Sequence, residues 1–199
     1  MIVFRAAPGR RFWDQRSRLL QAVDAADREH AITGKLELAR LHVAHGLGAE
    51  AVSLLATLPQ PGPLDGPSPE RRALNGAAHF LAGRYEAALE HLEYPELRSD
   101  SETALWRGAT LAALQRWDEA LPDWQAGQAW LGDYEVVNQA ALAESGIMLL
   151  LQTGRIDAAF ALLDEIASLS LPAASRERLR ELEAVALERD GAIDEARAI

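Results

Sequence analysis

The chain has 199 residues, 49% of them apolar and 6% aromatic, with no cysteine and a formal net charge of −10. That length supports one domain with a continuous core, and the lack of cysteine excludes disulfides and thiolate metal sites. Ala and Leu dominate while β-branched and aromatic residues are sparse, a mixture that favours helix over sheet.

The charge is uneven. Residues 1–50 hold eight Lys and Arg against six Asp and Glu, whereas residues 51–199 hold twelve against twenty-four. An acidic body argues against nucleic acid as a ligand, because neutralising phosphates needs clustered positive charge. No run approaches the roughly 18 apolar residues of a membrane span. The start, MIVFRAAPGRRFW, has no apolar stretch after its charges and does not read as a secretory signal. The compartment stays open, with the cytoplasm favoured and the periplasm an alternative for a piece of a longer chain.

Residues 1–26 form a separate piece. Phe12, Leu19, Leu20, Val23 and Ala26 predict one amphipathic helix that caps the remainder of the chain. Its basic, aromatic start (Phe4, Arg5, Arg10, Arg11, Phe12, Trp13) offers a second reading, contact with a membrane surface or an acidic partner.

From residue 27 onward one short pattern recurs: a small residue, a turn, then a helix with Ala at a fixed offset. It occurs at Gly46–Ala51, Gly83–Ala88, Gln115–Ala120, Gly154–Ala159 and Gly191–Ala196. The fixed alanines 51, 88, 120, 159 and 196 are 37, 32, 39 and 37 residues apart. Gly suits the residue after a helix because it accepts φ > 0. The large residue two places on (Tyr85, Trp117, Ile156, Ile193) is expected to fill the angle between two helices. The acidic residue beside it favours a helix start, and Ala permits close approach. In the fourth copy Ile156, Ala159, Phe160, Leu163 and Ile166 continue as one helical stripe. Further helices are predicted before the turns, at Ala73–Leu81, Ala104–Leu114 and Leu142–Leu151. Gly76 and Gly108 stand seven residues before their turn positions.

This resembles the tetratricopeptide repeat family. Gly76, Gly83, Tyr85 and Ala88 match in one unit, and Gly108, Trp117, Ala120 and Trp124 in the next, with the two units 32 residues apart. The resemblance covers 27–199 and implies an all-α, right-handed α-solenoid of stacked helix–turn–helix hairpins. The units fall at about 27–58, 68–97, 99–131, 134–169 and 173–199. The prolines that the family places between units are mostly missing, most spacings are longer, and Gly48 stands where a large residue is expected. A related helical-hairpin solenoid fits these departures too. PQPGPLDGPSP, from Pro59 to Pro69, is expected to be non-helical: an elongated surface connector, or alternatively a proline-rich loop that docks a partner groove. Ile199 follows Ala196 by three residues, so the fifth unit reads as incomplete. The expectation is a fragment of a longer repeat protein, or a unit completed by another copy through self-association.

No catalytic or cofactor constellation emerges. His42 and His45 have the i, i+3 spacing of a metal pair but no third ligand nearby in sequence, and His42 and His79 occupy equivalent positions before their turns, which favours packing. Gly46-x-Gly48-x-x-Ala51 loosely matches a dinucleotide fingerprint but lacks the strand that must precede it. There is no nucleophile elbow and no phosphate loop. The chain reads as a non-enzyme without cofactor or metal.

The resemblance implies a concave groove lined by the first helix of each unit: Arg40; Ala77 and Phe80; Leu105, Ala109 and Ala112; Glu144, Met148 and Leu151. Family members that grip acidic tails carry Lys, Arg and Asn there, a set that is missing. A largely apolar groove suits a peptide or amphipathic helix, or else is filled by its own side chains. Trp106 lies off the family's core positions and joins Arg40, Phe80, Leu105, Ala109, Glu144, Met148 and Leu151 as a candidate partner contact, its truncation expected to spare the fold. The function expected is a protein–protein interaction scaffold. The alternative is a regulatory or assembly domain of a longer protein whose enzymatic or membrane part lies elsewhere.

Overall fold

The computed structural model describes residues 12–59, 68–196 and 198. The basic, aromatic start at 1–11 and residues 60–67 of the proline-rich stretch lie outside the described residues. The chain is all-helical, with no strand among the described residues. Its helices are α1 (Phe12–Ala25), α2 (Arg28–Ala44), α3 (Gly48–Ala56), α4 (Pro69–Leu81), α5 (Tyr85–Leu92), α6 (Ser101–Ala113), α7 (Trp117–Gly127), α8 (Val136–Gln152), α9 (Ile156–Ala167), α10 (Ala173–Asp190) and the single turn α11 (Ile193–Ala196). Two 3₁₀ segments, Pro95–Leu97 and Gln128–Asp133, follow α5 and α7. None of the described helices is long and apolar enough to cross a membrane.

The chain divides into two compact units, one up to Thr103 and one from Ala104. Within the first, α1 packs on α2, α2 on α3, α3 on α4 and α4 on α5, and α2 also touches α4. Within the second, α7 packs on α8, α8 on α9, α9 on α10 and α10 on α11, and α8 also touches α10. Short connections between amphipathic helices force neighbours in sequence to become neighbours in space.

Five of those connections share one backbone geometry. Gly46, Gly83, Gln115, Gly154 and Gly191 all have positive φ, between 61° and 89°. In each turn the next amide donates to the carbonyl five residues back: Leu47 to His42, Arg84 to His79, Arg116 to Leu111, Arg155 to Leu150 and Ala192 to Leu187, at 2.8–2.9 Å. The positive-φ residue donates to the carbonyl three back. These paired bonds satisfy carbonyls that a helix end would otherwise leave bare. Four amides on from the residue before each new helix stand Ala51, Ala88, Ala120, Ala159 and Ala196, each donating back to that residue and each at most 9% exposed.

Gln115 is the one non-glycine at these turns, and its φ of 61° is a conformation that costs an L-residue roughly 1–2 kcal/mol. Gln115→Gly should raise stability by about 0.5–1 kcal/mol, since some of that relief is offset by a more flexible unfolded chain. A higher urea midpoint at unchanged slope is the expected measurement; an unchanged or lower midpoint contradicts the strain argument.

The expectation that Pro59–Pro69 is non-helical needs correction at its end. Ser68 caps α4, its hydroxyl accepting from the Arg71 amide, and Pro69 is the first helical residue. Proline is at home there because that amide has no intrahelical acceptor to lose. Helix α6 likewise begins earlier than its apolar pattern, where the Asp100 carboxylate accepts from the Thr103 amide at 2.8 Å. Gly48, out of place against the family pattern, sits where a Cβ would come within 2.7 Å of the Ala78 carbonyl oxygen on α4. The α3–α4 approach excludes the large residue found in the other turns.

Candidate functional site

The residues expected to line a groove separate into two groups. Arg40, on α2, is half-buried and pairs with Glu37 one turn earlier and with Glu70 at the start of α4. Phe80 is 5% exposed, its ring 5.6 Å from that of Tyr85, so it wedges the α4–α5 angle. In the second unit Leu105, Trp106 and Ala109 of α6 are fully buried, as is Leu151 of α8 at 1%. Ala77 and Ala112 are buried as well. Apart from Arg40, these positions are buried in the packing of their own units. Glu144 and Met148, on α8, remain half-exposed; four residues apart, they share one helix face.

Trp106 departs most clearly from its expected surface role. Its Nε1–H donates to the Tyr134 hydroxyl at 3.0 Å, and the two rings meet edge to face with centroids 5.5 Å apart. An indole buried with its N–H satisfied is an ordinary core element. Beside it, Arg107 is 7% exposed and grips Asp123 of α7 through two bonds of 2.6 Å. The two helices can come this close because position 108 carries no side chain: a Cβ there would stand 2.6 Å from the Trp124 amide nitrogen.

Glu144 is the one carboxyl among the described groups shown to be raised above its ordinary value. Partial burial drives the rise, Arg178 on α10 opposes it, and Glu181 adds to it. This partly buried face of α8 thus combines an adaptable thioether, a partly desolvated carboxyl and a nearby guanidinium.

A recess lies in the first unit, a cavity of about 410 Å³ lined by Phe12, Trp13, Arg16, His42, His45 and Glu50 among others. Trp13 is 69% exposed, an unusual value for an indole. The Phe12 ring lies 4.9 Å from that of His45 and 6.2 Å from that of His42. His42 is 6% exposed, and burial, with help from Arg16 and His45 and against Glu50, depresses its basicity. The His42–His45 pair, with its metal-like spacing, therefore includes a ring that packing makes less basic than an ordinary imidazole. Among the described residues no three His, Asp or Glu side chains gather as a metal site.

No family model, curated protein or solved structure matches the chain. Several of its structurally important residues carry little sequence signal. A charge within the apolar run SETALWRGATLAAL flags Arg107 as needing a partner, but nothing in the sequence points to Asp123, sixteen residues on. Tyr134 and the exposure of Trp13 likewise depend on which helices meet.

Proposed function

We propose that the chain is a non-catalytic protein–protein interaction scaffold, a tetratricopeptide-like right-handed α-solenoid that takes a peptide or amphipathic helix along the first helices of its hairpins. The observation that carries this reading is the five-fold recurrence of one turn, with the same two hydrogen bonds and a closely packed alanine after it. Hairpins that repeat one backbone and bury their helices pairwise are built to stack and to offer outer faces for binding. The face favoured for the contact is that of α8, where Glu144 and Met148 stand half-exposed. Methionine adapts to varied apolar partners, while Glu144 and Arg178 supply charge that sets orientation.

A photo-crosslinking amino acid at position 148 tests this, with one at exposed Gln125 on α7 as the control face. Position 148 should yield a discrete adduct and position 125 none. Glu144→Arg should weaken the interaction about tenfold, equivalent to about 1.4 kcal/mol. Equal labelling from both positions, or none from 148, contradicts the proposal.

A further inference from the structure

All five histidines of the chain, at 30, 42, 45, 79 and 91, fall in the first unit, and two of them meet face to face. His79 near the end of α4 and His91 near the end of α5 stack with ring centroids 5.5 Å apart and planes 20° from parallel. The Nδ1 of each ring is buried without a hydrogen-bond partner among the described residues. The Arg72 guanidinium, one of the nearest charges, lies over the Tyr94 ring at 3.6 Å. We infer that this imidazole stack is an acid-sensitive latch, closing the α4–α5 hairpin while both rings are neutral and releasing it when they take up protons.

The chemistry derives from the geometry. A neutral imidazole tolerates one unpaired ring nitrogen at modest cost. Protonation turns both nitrogens into donors, so each buried Nδ1–H would lack an acceptor and carry charge into a desolvated place. Two imidazoliums stacked at this distance also repel. Other groups around the stack mostly act in the same direction. Burial is the largest influence depressing both rings; Arg84 adds to it at His79, and His79, Arg72 and Arg71 add to it at His91. Glu90 on α5 opposes the effect at both rings without cancelling it. Of the charges on the other packed helices, Arg40 of α2 is paired with Glu37 and Glu70, while Glu50 of α3 acts on His42. Glu86, Glu93 and Glu96 are exposed to solvent.

The direction of the pH effect is then set. Once unfolded, the rings return to their ordinary value of 6.5. Stability is intact above that value. It declines as pH falls below it, because the open chain binds protons that the closed hairpin refuses, and it levels off below the depressed values of the folded state. The opening equilibrium should rise about tenfold per pH unit if one proton is taken up and about a hundredfold if two are.

Hydrogen exchange on the full chain at about pH 7.5 and about pH 5.5, corrected for intrinsic rates, reads this segment by segment. Opening of α4 and α5 should increase relative to α8 and α9, which contain no histidine, by up to about a hundredfold if both rings refuse protons when folded. In the His79→Gln, His91→Gln double variant that difference should vanish. Should the variant not fold, ring-proton titration of the unaltered chain decides, with both rings expected to titrate below 6.5. An equal rise in both hairpins, persistence of the difference in the folded double variant, or either ring titrating at or above 6.5 overturns the inference.

Discussion

Trp124→Ala is expected to lower stability by about 3–5 kcal/mol, near the limit for one core truncation. The residue is 1% exposed. Its backbone abuts Gly108 of α6, and its six-membered ring occupies the space above Gly146 of α8, where a Cβ would run into it. One residue thus joins three helices of the second unit, through its backbone to α6 and its ring to α8, and glycine at 146 is what makes room for the ring. Gly146→Leu alone should also destabilise, by about 1–3 kcal/mol, through overpacking. Combined with Trp124→Ala, it should refill part of the void, so the double variant loses less than the sum of the singles, with a coupling of about 1–3 kcal/mol. Urea unfolding followed by helical circular dichroism measures this. Strict additivity would show that the two residues do not share one space.

Trp106→Ala should cost a similar amount, about 3–5 kcal/mol, since the indole is fully buried and donates to Tyr134. Trp106→Phe keeps most of the volume and removes the donor, so it should cost only about 1 kcal/mol. The pair separates packing from hydrogen bonding by their urea midpoints. A Trp106→Ala protein with wild-type stability would return this residue to the surface role that its place in the sequence suggests.

The parts of the fold legible in the sequence are those dictated locally. Gly46, Gly83, Gly154 and Gly191 announce helix ends because positive φ selects for glycine. Gln115 is readable only through the matching Trp117, Asp118 and Ala120 around it. Helix starts are less legible: Ser68 and Asp100 look like loop residues until the amides they cap are located. The candidate site is less legible still. Assigning Phe80, Leu105, Trp106, Ala109 and Leu151 to a groove assumes that one face of each first helix stays open. Their burial depends on what packs over that face, and residues remote in sequence determine it, such as Tyr134 against Trp106, or Gly127 against the Leu105 backbone. Arg40, Glu144 and Met148 stay half-exposed because polar or flexible side chains tolerate a partly wetted position.

The uneven distribution of aromatic rings gives each unit its own intrinsic signal. Four of the five tryptophans, at 106, 117, 124 and 130, belong to the unit from Ala104, and Trp13 of the other unit is already 69% exposed to solvent. Indole emission during denaturation therefore tracks the second unit almost by itself, while imidazole proton resonances track the first. Superimposed transitions from these two label-free probes would mark the molecule as a single cooperative block. Separated transitions would mean that each unit unfolds independently, leaving a population in which a folded acidic half, holding four of the five tryptophans, carries an opened histidine-bearing one.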